Sequence, residues 1–318
     1  MTQSTSKQPL DTFISRLYRS TQSVSIEHFR EWALKELQTL ISFDAAIWST
    51  GHLSTRTFHT HTTSGLPKSF PDELLASLSI NPISKELFSH VGDAVDMEDV
   101  VGDDVFYKSD IYQTIFKKYH INRILSSIDI DKRSGVYTLL SIYRHDKGHS
   151  FLPAEKRIYQ HALFHLKEAA SHACILSLKD HSDDPLAQCA ICDDHGVYHE
   201  AESAFLDLID DHFPAHQAQI LPFSLPSQGD KITLNSLIIH NKKLGDLYRV
   251  SIRQESPLDT LTQREQEVVD GVTQGLSFKQ IGKKLSLSPS TVSNHLYRIY
   301  QKLNINNRSQ LADLVQTS

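Results

Sequence analysis

The feature that most constrains this chain is the run from Asp259 to Val315, where caps and helix breakers mark off four short helices. Thr262 with Glu265 has the spacing of a capping box, and Gly275 supplies a left-handed stop. Ser277 with Gln280 repeats the pattern for a second helix ending near Leu285. Ser288 followed by Pro289 opens a third, and Asn307 with Gln310 a fourth. On the third helix Val292, Leu296, Ile299 and Leu303 form one apolar stripe. That stripe is expected to pack on Val268, Val269, Val272, Ile281 and Leu285.

The opposite face is left to Ser290, Ser293, Asn294, Tyr297, Arg298 and Gln301. Between Gly271 and Ala312 lie Lys279, Lys283, Lys284, Arg298, Lys302 and Arg308, with no Asp or Glu. Such a balance suits a polyphosphate surface. A helix, the turn Ser286 to Pro289 and a second helix with a polar face describe a helix-turn-helix. Charge is unevenly placed: residues 257–318 carry seven basic against five acidic side chains, a net of +2, leaving −8 for the rest of a chain whose total is −6.

This stretch resembles the LuxR-type (GerE or FixJ type) DNA-binding domains. LTQREQEVV, GLSFKQIGKKL, LSPSTVSNHLYRIYQKL and NRSQL fall at that family's order and spacing. The resemblance implies an all-α four-helix output domain that binds double-stranded DNA. Thr291 and Val292 would stand at the entry of the recognition helix, Ser293, Asn294 and Tyr297 would face base edges, and Lys279, His295 and Arg298 would approach phosphates. Ser290 and Lys302 complete the expected contact set. Three departures concern the target sequence: Ser293 where many members have Lys, Phe278 where they have Asn, and Gly282 where they have Ala.

The N-terminal part is expected to be α+β. Asp11 to Arg19 and Ile26 to Ile41 read as helices, the second with Phe29, Ala33, Leu37 and Leu40 on one face. Ala45 to Thr50 and Thr55 to Thr63 read as strands around a Ser49 to Ser54 turn, Ser109 to Lys118 as a helix, and Gly135 to Arg144 as a strand. Phe151 to Lys179 is a long helix with Ile158, Ala162, Leu166, Ala169, Ala173 and Leu176 in register. It serves either as a dimer seam or as a core helix. The SDIYQTIF stretch and the long helix make residues 1–180 similar to GAF-type input domains. A boundary is expected at His181 to Pro185. Residues 186–253, with CAICDDHGVYHEAESAFLDLI and a hairpin turning at His240 to Lys243, resemble a small PAS-like domain. Arg253 to Leu258 would link it to the helical domain at 257–318.

Other chemistry is weighed and set aside. Cys189 and Cys192 form a CxxC near His195, but no second pair completes a zinc set, and on a strand the two point to opposite faces. A metal- or redox-dependent protein using them is the distant alternative. His59 with His61, and His161 with His165, share faces without a third ligand at a supporting spacing, so no metal is expected. Nucleotide-binding glycine motifs, a nucleophile elbow and the acidic pair of a receiver domain are missing, so neither an enzyme nor a cofactor is expected. The lactone receptors of the LuxR family carry an Asp-Pro pair where this chain has Asn81-Pro82. Three cysteines, a polar start and no long apolar run place the chain in the cytoplasm. The reading is a homodimeric, sequence-specific transcription regulator controlled by a small molecule or partner at its N-terminal region. The rival is a regulator whose N-terminal region is a ligand-free dimerisation and docking body.

Overall fold

The computed structural model describes residues 9–317 except 56, 133, 180–183, 185, 218 and 228. The boundary expected at His181 to Pro185 therefore falls almost wholly outside the described residues. The chain divides into two compact units, Met1–Ile232 with Ile239–Arg253, and Thr233–Ile238 with Gln254–Ser318.

The first unit begins with α1 (Pro9–Ser20) and α2 (Ile26–Leu37), then β1 (Ala45–His52) and β2 (Phe58–Ser64). Short helices α3 (Phe70–Ala76) and α4 (Pro82–Ser89), strand β3 (Val95–Asp96), and helices α5 (Met97–Val100), α6 (Asp103–Phe106) and α7 (Asp110–Thr114) precede β4 (Arg123–Ile130) and β5 (Val136–Arg144). Helix α8 (Pro153–Leu178) closes this part. The strands form one sheet in the order β2-β1-β5-β4-β3, antiparallel at every pairing.

Both faces of this sheet are covered because its strands alternate apolar residues on both sides. Ala46, Trp48, Leu140 and Ile142 pack under α1, α2 and α8 with Phe13, Leu17, Phe29, Leu34 and Leu166. Ile47, Leu139 and Tyr143 face the other way, under Phe70, Leu74, Ile83, Phe106 and Phe116. Arg144 at the end of β5 is 2% exposed. Its guanidinium donates to the carbonyls of Ser42 (2.8 Å) and Ser150 (2.9 Å) and to Glu155 of α8 (2.6 Å), so the buried charge is fully engaged.

A second sheet follows: β6 (Gln188–Cys192), β7 (Tyr198–Ala201), α9 (Ser203–His212), β8 (Lys231–Leu234), β9 (Leu237–Leu244) and β10 (Leu247–Gln254). Its order, β7-β6-β10-β9-β8, repeats that of the first sheet. Cys189 and Ile191 face Cys174 and Leu178 near the end of α8.

Several local expectations need correction. The β1–β2 connection lies after His52, not at Ser49, because Ser49 and Thr50 are paired on both sides within the sheet. Helix α2 stops at Leu37, and Ser109 to Lys118 is a five-residue helix, α7, followed by a 3-10 turn at Phe116–Tyr119. The hairpin does not turn at His240 to Lys243, which lies inside β9 with Asn241 buried and bonded to the Pro226 carbonyl at 2.6 Å. The turns are Asn235-Ser236, both at positive φ, and Gly245-Asp246. Nor is Ile158 to Leu176 a free seam: Ala162, Leu166, Ala169 and Ala173 are spent in the chain's own core.

The second unit carries a capped 3-10 turn (Pro257–Thr260), where a linker is expected, then α10 (Gln263–Thr273), α11 (Phe278–Leu285), α12 (Pro289–Leu303) and α13 (Arg308–Thr317). The fold is thus α+β followed by an all-α four-helix domain. No helix among the described residues is long and apolar enough to cross a membrane.

Candidate nucleic-acid interface

Each helix of the four-helix domain begins where its capping chemistry dictates. Thr262 Oγ1 accepts from the Glu265 amide at 3.3 Å while Glu265 accepts from the Thr262 amide at 2.9 Å. Ser277 and Gln280 make the same reciprocal pair. Ser288 caps α12 through the Thr291 amide at 3.1 Å, and the Gln310 amide donates to Asn307 at 2.9 Å. Gly275 ends α10 at φ +84, and Ser286 ends α11 at φ 55, which fixes the tight turn into α12. At Gly282 an added Cβ would lie 2.6 Å from the Leu287 carbonyl oxygen, so the turn has closed over the missing methyl.

The core consists of Leu261, Val268, Val269, Val272, Ile281, Val292, Leu296, Ile299, Leu303 and Leu311, with Leu285 packed against it. Seating that stripe inward turns the other side of α12 to solvent. Ser290, Ser293, Asn294, Tyr297, Arg298 and Gln301 are exposed, Tyr297 by 64%, and Thr291 and His295 are half-buried. Gln301 donates to the Tyr297 hydroxyl at 2.7 Å, which steadies the ring. Ser288 holds the Ser290 and Thr291 hydroxyls at 2.8 and 2.7 Å, so the start of the helix presents an ordered hydroxyl cluster.

Two residues of the expected contact set are placed elsewhere. Val292 is fully buried in the core, so it is a strut under the surface. Lys302 donates to Glu265 at 2.6 Å, and this ammonium, with the Thr262 cap, holds the Glu265 carboxyl below its usual range. Arg308 is likewise bonded to the Val272 carbonyl. Lys302 and Arg308 are exposed but tied in this way, whereas Lys279, Lys283 and Lys284 on α11 and Arg298 on α12 are exposed outside these two ties. Phe278 stands exposed at the start of α11, where the expected pattern has a polar side chain.

A polar, cationic helix face without carboxylates, mounted on a helix-turn-helix, defines a nucleic-acid-binding class of domain. Residues 259–315 match the family described as bacterial regulatory proteins, luxR family, and this part of the chain is a luxR-family helix-turn-helix domain. The transcriptional regulatory protein DegU of Brevibacillus brevis is 44% identical over 59 residues, 19% of this chain and 25% of DegU. The response regulator UvrY of Escherichia coli (strain K12) is 37% identical over 62 residues, 20% of this chain and 28% of UvrY. The chain thus spans about a quarter of the length of these curated relatives. Among solved structures, SdiA of Escherichia coli aligns with a TM-score of 0.41 at 13% identity, over 96% of each chain, a likeness too distant to carry a site or a ligand.

Two features of the α+β unit have no sequence signature. A largely apolar cavity of about 530 Å³ is lined by Leu53, Phe58, Leu87, Phe88, Tyr137 and Leu139 among others. His59 of β2 lies 2.7 Å from Asp193, which is 134 positions away in the chain. The cysteines offer less. All three are free and buried, and burial pushes Cys174 up to about 12 and raises Cys189 and Cys192, so none is a ready thiolate.

Proposed function

We propose that this chain is a cytoplasmic, sequence-specific transcription regulator that binds double-stranded DNA as a homodimer. The observation that carries the reading is the exposed face of α12, polar and basic, on a domain of the luxR family. Two copies would set their α12 helices into successive major grooves of a two-fold site. Lys279 and Arg298, with His295 alongside, would fix register on the phosphates, and Ser290, Thr291, Ser293, Asn294 and Tyr297 would choose among bases. Few cations are exposed on one copy, so pairing two copies supplies the affinity that one lacks.

Control is assigned to the α+β unit through the apolar cavity behind β5. Its lining suits a small, mainly apolar effector, because Tyr137 already spends its hydroxyl on the Thr57 carbonyl at 2.7 Å. The effector reading is favoured over a docking body because Ala162, Leu166, Ala169 and Ala173 of the α8 stripe pack in the chain's own core.

Selection from randomised duplexes, followed by anisotropy over a salt series, tests the reading. Arg298→Ala should weaken every sequence alike and reduce the salt slope by about one. Asn294→Ala should cost about 1–3 kcal/mol at one base position and relax preference there. Wild-type affinity and preference in both variants would sink the assignment.

A further inference from the structure

β2 brings His59 to the tight turn between β6 and β7, which holds Asp193 and His195, with His199 on β7 beside it. The Asp193 side chain is 1% exposed and that of His59 is 0%. Asp193 Oδ1 accepts the amides of His195 and Val197, both at 3.0 Å, which aims Oδ2 at His59 Nδ1, 2.7 Å away. On its far side, His59 Nε2 meets the Thr55 hydroxyl at 2.7 Å. His195 stacks on His59 with ring centroids 4.0 Å apart. One ligand atom from each of His59, Asp193 and His195 lies within 4.8 Å of the other two. His199 Nε2 lies 3.5 Å from the same Asp193 oxygen, on a side chain 9% exposed, and makes no hydrogen bond.

We propose that His59, Asp193, His195 and His199 bind a divalent transition-metal ion of the zinc type, joining β2 of the first sheet to the β6–β7 turn of the second. Imidazole nitrogens with one carboxylate oxygen form a borderline donor set that suits Zn²⁺ over Mg²⁺ or Ca²⁺. Donor–metal distances of about 2.0–2.2 Å would spread His59 Nδ1 and Asp193 Oδ2 apart and draw the His195 and His199 rings in. In the bound form the His59 nitrogen that faces Asp193 would carry the metal and no proton. The outer partners are in place: the Thr55 hydroxyl stands against His59 Nε2, and two backbone amides hold the carboxylate. Entry is open, because His195 borders a cavity of about 760 Å³ that also touches Gly196, Leu221 and Tyr248. The inference goes beyond DNA binding and stands independently of it.

The test uses the full chain, stripped with a chelator and titrated with Co²⁺ under visible spectroscopy and calorimetry. One equivalent should bind, with ligand-field bands, no thiolate charge-transfer band, and displacement by Zn²⁺. His195→Ala changes a half-exposed side chain and so preserves the fold. It should weaken Co²⁺ binding by at least about tenfold, and Thr55→Val by about tenfold through the outer shell. Zn²⁺ should raise the melting temperature of the wild type but not of Asp193→Asn. Three results would overturn the site: no Co²⁺ uptake by the stripped wild type, a thiolate band pointing to the cysteines, or uptake undiminished in both His195→Ala and Asp193→Asn. The last would place the ion elsewhere among the chain's eighteen histidines.

Discussion

The two sheets of the α+β unit share a strand order but not a way of covering themselves. The first has helices of its own on both faces, with Leu17, Phe29, Leu34 and Leu166 on one side and Phe70, Leu74, Ile83 and Phe116 on the other. The second lays Cys189 and Ile191 against Cys174 and Leu178, residues near the end of the first sheet's closing helix, and has α9 with Phe205 and Ile209 buried. A layer of about 65 residues buries proportionally little surface, so it depends on a neighbour where the larger one does not. The length of α8 has the same cause: its 26 residues exceed what one sheet needs because they serve two.

Breaking the shared helix should therefore have the widest effect. Leu166→Ala removes a fully buried side chain from α8 and is expected to cost about 4 kcal/mol, with both sheets losing hydrogen-exchange protection together. Phe205→Ala, fully buried on α9 and set edge-on to Tyr198 at 5.9 Å, should cost about 3 kcal/mol. Its damage should be confined to β6, β7 and β10, with β1 and β5 still protected. If Phe205→Ala released β1 and β5 as well, the first sheet would depend on the second and the asymmetry would be wrong.

The same asymmetry governs what could be read in advance. The helical domain announces itself because caps lie three residues apart and stripes follow one period, so Thr262, Ser277, Ser288 and Gly275 mark its ends by local chemistry. The sheets depend on partners far along the chain. The expected turn at His240 to Lys243 failed because polarity marks a loop only where the strand is not exposed, and Lys242 and Lys243 are both exposed within β9 beside the buried Asn241. The stripe on α8 was visible, but periodicity does not say whether its partner is the same chain or a copy. Val292 and Lys302 show the limit inside the legible domain. A contact set carried over by motif includes residues that packing turns inward or that ion pairing consumes. His59 and Asp193 lie beyond any local rule, since only the fold brings positions 134 apart together.

The smallest effect separates the output domain from both sheets. Glu265 caps α10 through Thr262 and takes the Lys302 ammonium, which depresses its pKa. A carboxyl with a lowered folded pKa contributes stability that is present above its unfolded value, near 4.3, and is lost as pH falls through the folded value. The domain should accordingly loosen on acidification below about pH 4, where an unfolded glutamate is already protonated. Glu265→Gln keeps a capping-competent side chain but not the charge, so it should cost about 1 kcal/mol at neutral pH and flatten that acid dependence. Exchange protection followed in α10 and in β5 of the same sample reads both regions at once. Equal losses in the two would mean that the charge pair stabilises the chain at large, whereas loss confined to α10 would mark it as the domain's own fastening.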